Sequence, residues 1–384
     1  MKHVVVLGSG LVGSLMAKDL ALDGRYSVLA ADRSEESLGR LRDLPNLVTE
    51  RADLSSAAEI HRLASKADVV VGAVPGFMGT AMLKAVLEAK KPIADISFAP
   101  EDPFTLDELA RASGVPAIVD CGVSPGLSNL AAGRAESLFE ETDLVRIMVG
   151  GLPFRRVLPY EYRIVFSATD VIEEYTRPAR LVRDGRLITV PALSEPELFE
   201  FAVAGTLEGF LTDGLRTVLR TVKARNLEEK TLRFPGHAAK IALLRDTGLL
   251  SNEPILVNGV SVSPRAVTEA VLFPLWKLPP GDEEFTVLRV VAEGRSGGRR
   301  VRRTYELFDR TDAKTGATSM ARTTGFPCTI AARLLAEGVL REPGVRPLEL
   351  LGKEPSVFGA LVDGLLAKGV VFTERAEEVV EAGS

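Results

Sequence analysis

The sequence predicts an α/β fold: a doubly wound parallel sheet joined to an α+β domain with a mixed or antiparallel sheet. Three observations predict it. From residue 1 to about residue 120, short apolar runs alternate with helical patterns, as in successive βαβ units. Beyond that point strand-like runs mix with helices and Pro-rich turns, and near the end helical spacing returns. A chain of 384 residues is also long enough for two domains.

The first unit is the most informative. Val4, Val5, Val6 and Leu7 form an apolar run, followed by Gly8-Ser9-Gly10-Leu11-Val12-Gly13 and an amphipathic stretch. A second apolar run, 27–31, ends in Asp32. Strand, glycine-rich turn, helix, strand and acid in that order mark a Rossmann-type dinucleotide-binding unit, as against a purely structural glycine turn. Gly8 permits the tight turn, Gly10 lets the backbone approach a pyrophosphate, and Gly13 lets helix and strand pack closely. The helix N-terminus offers unpaired N–H groups to phosphates. Asp32 would bind an adenosine ribose and repel a 2′-phosphate, which favours NAD; the neighbouring Arg33 pulls toward NADP.

The later units follow in order. Residues 46–48 read as a strand leading to Asp53, 55–65 as a helix, and 67–74 as a buried strand closed by Pro75-Gly76. Residues 80–90 read as a helix and 92–96 as a strand. Residues 105–113 read as a helix with Thr105 and Glu108 as a capping box, and 115–119 as a strand. Farther on, 145–149, 162–166 and 286–292 look like strands, 294–298 like a hairpin turn, and 329–337 and 357–368 like helices. The expected domains are 1–121 (dinucleotide-binding), 122–320 (substrate-binding and oligomerisation), 321–372 (a helical return to the first domain) and an acidic, fraying tail, 373–384.

Composition narrows the function. The net charge of -5 gives no broad attraction to nucleic acid or anionic membranes. Arg299, Arg300, Arg302 and Arg303 read as a solvated strand face. No leader pattern or membrane span is evident. Two cysteines suggest reduced thiols in a cytoplasm, and three histidines show no metal-ligand spacing.

Ligands of an open parallel sheet lie beyond the carboxyl ends of its strands. Ala73-Val74-Pro75 would line the cofactor's ribose and nicotinamide path, or form a plain turn. Asp95 and Asp120 each place a carboxylate at that edge, to hold an ammonium, take a proton or cap a helix. Cys121 is either a small buried hydrophobe or a thiol whose pKa Asp120 would raise. His237 is a proton shuttle or a structural histidine. Arg216 is a carboxylate clamp or one half of a salt bridge.

With these residues in view, the chain resembles the saccharopine dehydrogenase-like reductases, and within them the lysine 6-dehydrogenase branch. The resemblance rests on GSGLVG (8–13), DISF (95–98), DCGVSPGLSN (120–129), DVIEEYTRPA (170–179), TDGLRTVL (212–219), KTLRFPGHAAKI (230–241) and ARTTGFPCTIAARLL (321–335). It implies an active site between the two domains. That site would use Ser97, Phe98, Asp120, Cys121, Gly122 and Pro125 on the nucleotide side. The Arg163, Thr169, Asp170, Thr212, Asp213, Arg216 and His237 neighbourhoods would serve on the other, with Arg216 and Asp170 taking the substrate's α-carboxylate and α-ammonium.

The implied reaction is NAD-dependent oxidation of the ε-amine of L-lysine, with imine hydrolysis to the semialdehyde, which cyclises. A homodimer or dimer-based oligomer with a small amino-acid substrate is expected. A saccharopine-type or polyamine-forming reductase using NADP, and a non-catalytic nucleotide sensor, are the alternatives.

Overall fold

The computed structural model describes residues 1–379. The chain divides into two compact units. The first comprises Met1–Glu140, Arg216–Lys223 and Ala321–Phe372, and the second comprises Glu141–Leu215, Ala224–Met320 and the described residues from Thr373 on.

The first unit is built on a seven-stranded sheet. Its strands are β1 (Lys2–Leu7), β2 (Tyr26–Asp32), β3 (Leu47–Arg51), β4 (Val69–Gly72), β5 (Ile93–Asp95), β6 (Pro116–Ile118) and β17 (Gly344–Val345). The order is β17-β6-β5-β4-β1-β2-β3, and every pairing is parallel. The apolar runs that marked these strands are buried because both faces are covered: Val4 to Leu7 and Val69 to Val71 are at most 2% exposed. The strand order reverses between β1 and β4. A doubly wound sheet opens its ligand crevice at that point, so the glycine turn after β1 faces the Ala73–Val74 segment after β4.

Local chemistry moves some expected boundaries. Asp102, not Thr105, caps the next helical segment: its carboxylate accepts from Phe104 N at 2.9 Å, and a 3₁₀ turn (Pro103–Leu106) precedes the α-helix Asp107–Ser113. Helix Leu127–Ser137 belongs to the first unit, which continues to Glu140. The helix expected at 329–337 runs instead over Ser319–Ala336 and carries Pro327 in its interior, and Ala321–Phe372 belongs to the first unit. A proline there marks a probable boundary in a sequence, and burial along the helix overrides it.

The second unit holds a nine-stranded mixed sheet. Its path is β10 (Glu197–Phe201), β11 (Gly205–Leu211), β12 (Asn226–Arg233), β7 (Glu141–Pro153), β15 (Glu284–Ser296), β16 (Arg299–Arg310) and β18 (Phe372–Glu378). β8 (Ala179–Arg183) pairs with β12 and with β9 (Arg186–Val190). A separate hairpin joins β13 (Ile255–Val257) to β14 (Val260–Val262).

Three expectations for this unit change. Residues 162–166 are not a strand; they carry a single bridge, Ile164 to Lys277, because Tyr162 is buried in an aromatic cluster against which Ile164 and Phe166 also pack. The tight turn between β15 and β16 is confined to Gly297-Gly298, both at positive φ. Residues 373–378 are no fraying tail but part of β18. Their acids pair with the basic run on β16: Arg299 with Glu378, Arg302 with Glu377, and Arg303 with Glu374. The end of the expected tail, 380–384, lies outside the described residues.

Among the described residues no helix is long and apolar enough to cross a membrane, and no cluster of His, Cys, Asp and Glu could hold a metal ion.

Candidate functional site

The glycine turn is shaped by close backbone approach. A Cβ on Gly8 would lie 2.4 Å from the Ala73 carbonyl oxygen, and one on Gly13 would lie 2.1 Å from the Gly8 carbonyl oxygen. Neither position tolerates a side chain. Gly10 differs: a Cβ there meets nothing within 4 Å, so its side of the turn is open. Gly10 is also the N-cap of helix Leu11–Ala21 and provides no side-chain cap, so the first N–H groups of the helix have no side-chain acceptor there. The Ser9 hydroxyl is buried without a partner among the described residues. An open glycine, an uncapped helix start and an orphaned hydroxyl together fit a dinucleotide's pyrophosphate.

Asp32 stands at the end of β2. Its Oδ2 accepts from Ser9 N at 2.7 Å and its Oδ1 from Ser34 N at 2.8 Å. The carboxylate is thereby fixed to the glycine turn at the ribose edge. Arg33 is exposed beside it. Asp53 is exposed and accepts from the Ser55 hydroxyl and N–H, which hold its carboxyl below the usual range. Val74 is buried and Pro75 precedes helix Gly76–Glu88 as its N-cap.

A second group gathers at the carboxyl ends of β5 and β6, within the same unit. Asp95 is 4% exposed, and its Oδ1 accepts from Ser97 N at 3.0 Å and Ser97 Oγ at 2.7 Å. Burial pushes its pKa up to about 6, with Asp120 adding to the rise and the Ser97 bonds and Arg216 opposing it. Arg216 arrives from the segment Arg216–Lys223 that the middle of the chain contributes to this unit. Its Nη2 and Nε reach the Asp120 carboxylate at 3.1 and 3.3 Å, and its Nη1 donates to the Ala99 carbonyl. Its guanidinium lies 5.1 Å from the Phe98 ring centre. Asp120 and Arg216 both hold left-handed backbone, at φ 50° and 51°. That conformation is disfavoured for both residues, so the surrounding structure must impose it.

Cys121 completes this edge by donating its N–H to the Asp95 carbonyl at 2.9 Å. Its side chain is fully buried against Cys328, whose thiol burial pushes well above its ordinary pKa. The environment suits a packed thiol and not an accessible thiolate. Gly122 and Pro125 close a small loop through Gly122 N to the Pro125 carbonyl at 3.1 Å.

The remaining expected residues lie in the second unit around another buried polar cluster. His237 is 1% exposed; its Nδ1 lies 3.1 Å from the Tyr160 carbonyl and its Nε2 lies 3.0 Å from the Tyr175 hydroxyl. A carbonyl can only accept, so Nδ1 carries the proton and Nε2 accepts from Tyr175. Burial, reinforced by Arg233, lowers the His237 pKa to about 3. Arg233 donates to Tyr175 Oη at 3.2 Å and to Glu174 at 2.9 Å.

Thr212 and Asp213 are equally engaged. Thr212 Oγ1 bonds Glu229 and sits 2.7 Å from Thr231 Oγ1, while Asp213 takes a bidentate pair from Arg180 at 2.8 and 2.9 Å. Arg163 donates to the Leu275 carbonyl. Thr169 is exposed, and Asp170, in the first turn of helix Ala168–Thr176, has its pKa raised by burial.

Two expected roles therefore change. Arg216 cannot serve as a free carboxylate clamp, because its guanidinium is buried and committed to Asp120 and the Ala99 carbonyl. His237 cannot shuttle protons near neutrality, because it stays neutral down to about pH 3 and both ring nitrogens are engaged. The sequence reading also missed Glu229, Glu174, Tyr175 and Arg233. Glu229 is 2% exposed, and burial pushes its pKa up to about 8. The available signal was in β12: Glu229, Thr231 and Arg233 fall on one face of a central strand and are all buried, where apolar residues would ordinarily stand.

Both halves of the chain match domains of known proteins. Residues 4–118 match the family described as Saccharopine dehydrogenase NADP binding domain, and residues 122–370 match Saccharopine dehydrogenase C-terminal domain. The saccharopine dehydrogenase [NADP(+), L-glutamate-forming] of Schizosaccharomyces pombe is 22% identical over 98% of this chain and 99% of its own length. The carboxynorspermidine synthase of Vibrio cholerae is 26% identical over 92% of this chain and 93% of its own. Apo saccharopine dehydrogenase (L-Glu forming) from Saccharomyces cerevisiae shares the fold, with a TM-score of 0.80 at 18% identity, covering 98% of this chain and all of that one. With both family domains matched in sequence order over almost its whole length, the chain belongs to the saccharopine dehydrogenase family.

Proposed function

We propose that the protein is a nicotinamide-dinucleotide oxidoreductase acting on the amine-bearing carbon of an amino acid. NAD is the favoured cofactor and the ε-amine of L-lysine the favoured substrate group. The observation that carries the choice of an amine is the pairing of the buried arginines. Arg216 holds Asp120 and Arg233 holds Glu174, so neither guanidinium is free for the additional carboxylates of a saccharopine-type substrate. What the β5–β6 edge leaves over is the carboxyl of Asp95, suited to an ammonium.

The chain's own residues divide the work. Gly10, the start of helix Leu11–Ala21 and Ser9 receive the pyrophosphate, and Asp32 receives the ribose. When bound, the nicotinamide accepts the hydride from the substrate carbon. Asp95 holds the amine and takes up its proton; with a pKa of about 6 it is mostly ionised at neutral pH. Ser97 fixes the orientation of that carboxyl through two hydrogen bonds to Oδ1. Hydride loss needs a neutral amine, and a lysine ammonium titrates near about 10.4 in water, so the rate with lysine should climb from neutral to alkaline pH.

The preference for NAD rests on the Asp32 carboxylate, which a 2′-phosphate would have to approach. The matched domain is named for NADP, as is the S. pombe relative, so the cofactor belongs in the test. The purified protein is assayed with amino acids and polyamines in the presence of NAD or NADP, and with glutamate plus an aldehyde in the presence of NADPH. Reduced cofactor formed from lysine and NAD is the expected result. Turnover only in the reductive, NADPH-dependent direction would replace this reading with that of a saccharopine-type or polyamine-forming reductase.

A further inference from the structure

We propose that the β13–β14 hairpin and the outer face of helix Pro264–Trp276 form the contact through which two copies of this chain associate. The hairpin is a built element. Asn258 and Gly259 hold positive φ at 52° and 81°, the two-residue turn that suits the twist of paired strands, and Ile255, Leu256 and Val257 pair in register with Val262, Ser261 and Val260. Yet among the described residues it is left uncovered. Residues 252–261 are all exposed, with Ile255 at 52%, Leu256 at 79%, Val257 at 46% and Val260 at 62%. An isolated two-stranded hairpin is marginal in water unless an apolar face is covered. Here apolar side chains on both faces are uncovered.

The helix that follows directly continues the pattern. Arg265, Thr268, Leu272 and Trp276 turn inward, while Val267, Val271 and Leu275 recur every four residues on the outside at 51%, 58% and 55% exposure. Charge is sparse on the outward surface: Glu269 is partly exposed beside Arg265, and Glu253 and Lys277 lie exposed at the two ends. The only charged residues in 254–276 are Arg265 and Glu269, and Arg265 is buried against Glu269 and Glu173.

These properties select a second copy as the occupant. A patch so poor in charge meets itself across a two-fold axis with little like-charge repulsion, and charge depletion is typical of the core of a homodimer interface. The exposed apolar side chains of hairpin and helix present on the order of 700 Å² per copy, close to the roughly 800 Å² that each partner gives to a standard interface. The free edges of β13 and β14 can also pair with the same edges of the other copy.

The test is sedimentation equilibrium of the full chain at micromolar concentration, with Leu256→Asp, Val271→Asp and the double variant. Both sites are exposed, and far-ultraviolet circular dichroism and the melting temperature confirm that the variants fold. The wild type should run at twice the chain mass or an even multiple of it. The double variant should fall to half the wild-type mass, with its dissociation constant raised at least a hundredfold. A monomeric wild type would overturn the proposal, as would a double variant that keeps the wild-type mass; either result leaves the reading of the β5–β6 edge untouched.

Discussion

Replacing Asp95 by Asn should weaken catalysis while strengthening the fold. Burial holds the carboxyl at about 6 against an ordinary 3.8. An unfolded chain ionises this group near pH 4, whereas the folded chain keeps the proton until about pH 6. Between those values the folded state binds more protons, so stability falls as pH rises. Above pH 6 the full deficit is in place, about 3 kcal/mol for a shift of this size. Asparagine carries no such deficit, and its side-chain oxygen can still accept from Ser97 N and Oγ. Urea unfolding should find Asp95→Asn equal to the wild type at pH 3.5 and up to about 3 kcal/mol more stable at pH 7.5. In the same enzyme kcat/KM should lose the extra, roughly tenfold-per-unit steepening that Asp95 ionisation adds below pH 6 to the climb set by the amine, and should fall by roughly 10²–10⁴ at neutral pH. A variant that keeps this steepening, or that is less stable than the wild type at pH 7.5, would refute the assignment.

Other consequences follow from the same charges. Glu229 is pushed up to about 8 by burial and accepts from Gly214 N at 3.2 Å. It is therefore mostly protonated at neutral pH, and Glu229→Gln should add nothing at pH 4 and about 3 kcal/mol at pH 7 in denaturant titrations; a gain independent of pH would contradict this. Arg216→Met strands the buried Asp120 and should cost about 3–5 kcal/mol, most of it recovered when Asp120→Asn is added, as a double-mutant cycle of unfolding energies would show. Asp32→Ser should move the NADP-to-NAD ratio of kcat/KM toward NADP at least tenfold, and an unchanged ratio would remove Asp32 from cofactor choice.

The sequence made the first unit legible because its signals are local. GSGLVG, the apolar runs and Asp32 each specify backbone within a few residues, and the contacts of Gly8 and Gly13 with neighbouring backbone give the physical reason for them. The β5 and β6 ends could be placed because a parallel sheet puts its ligands there. What could not be read were partnerships between distant segments. Arg216 lies 96 residues from Asp120, and only the fold shows that the pair neutralises itself. His237 looked titratable because a sequence contains no burial; Tyr175 and the Tyr160 carbonyl, remote in the chain, fix it as neutral. β18 was obscured for the same reason, since an acidic stretch reads as a tail until a basic strand is placed beside it.

Calorimetric titration of the full chain with NAD and with NADP reaches the central claim most directly. The glycine turn, the Ser9 hydroxyl and Asp32 predict saturable binding of both, with NAD the tighter, and loss of that binding when Gly10 is replaced by a bulky residue in a protein that still folds. Absence of heat with either nucleotide, or binding that survives a side chain at Gly10, would contradict the account.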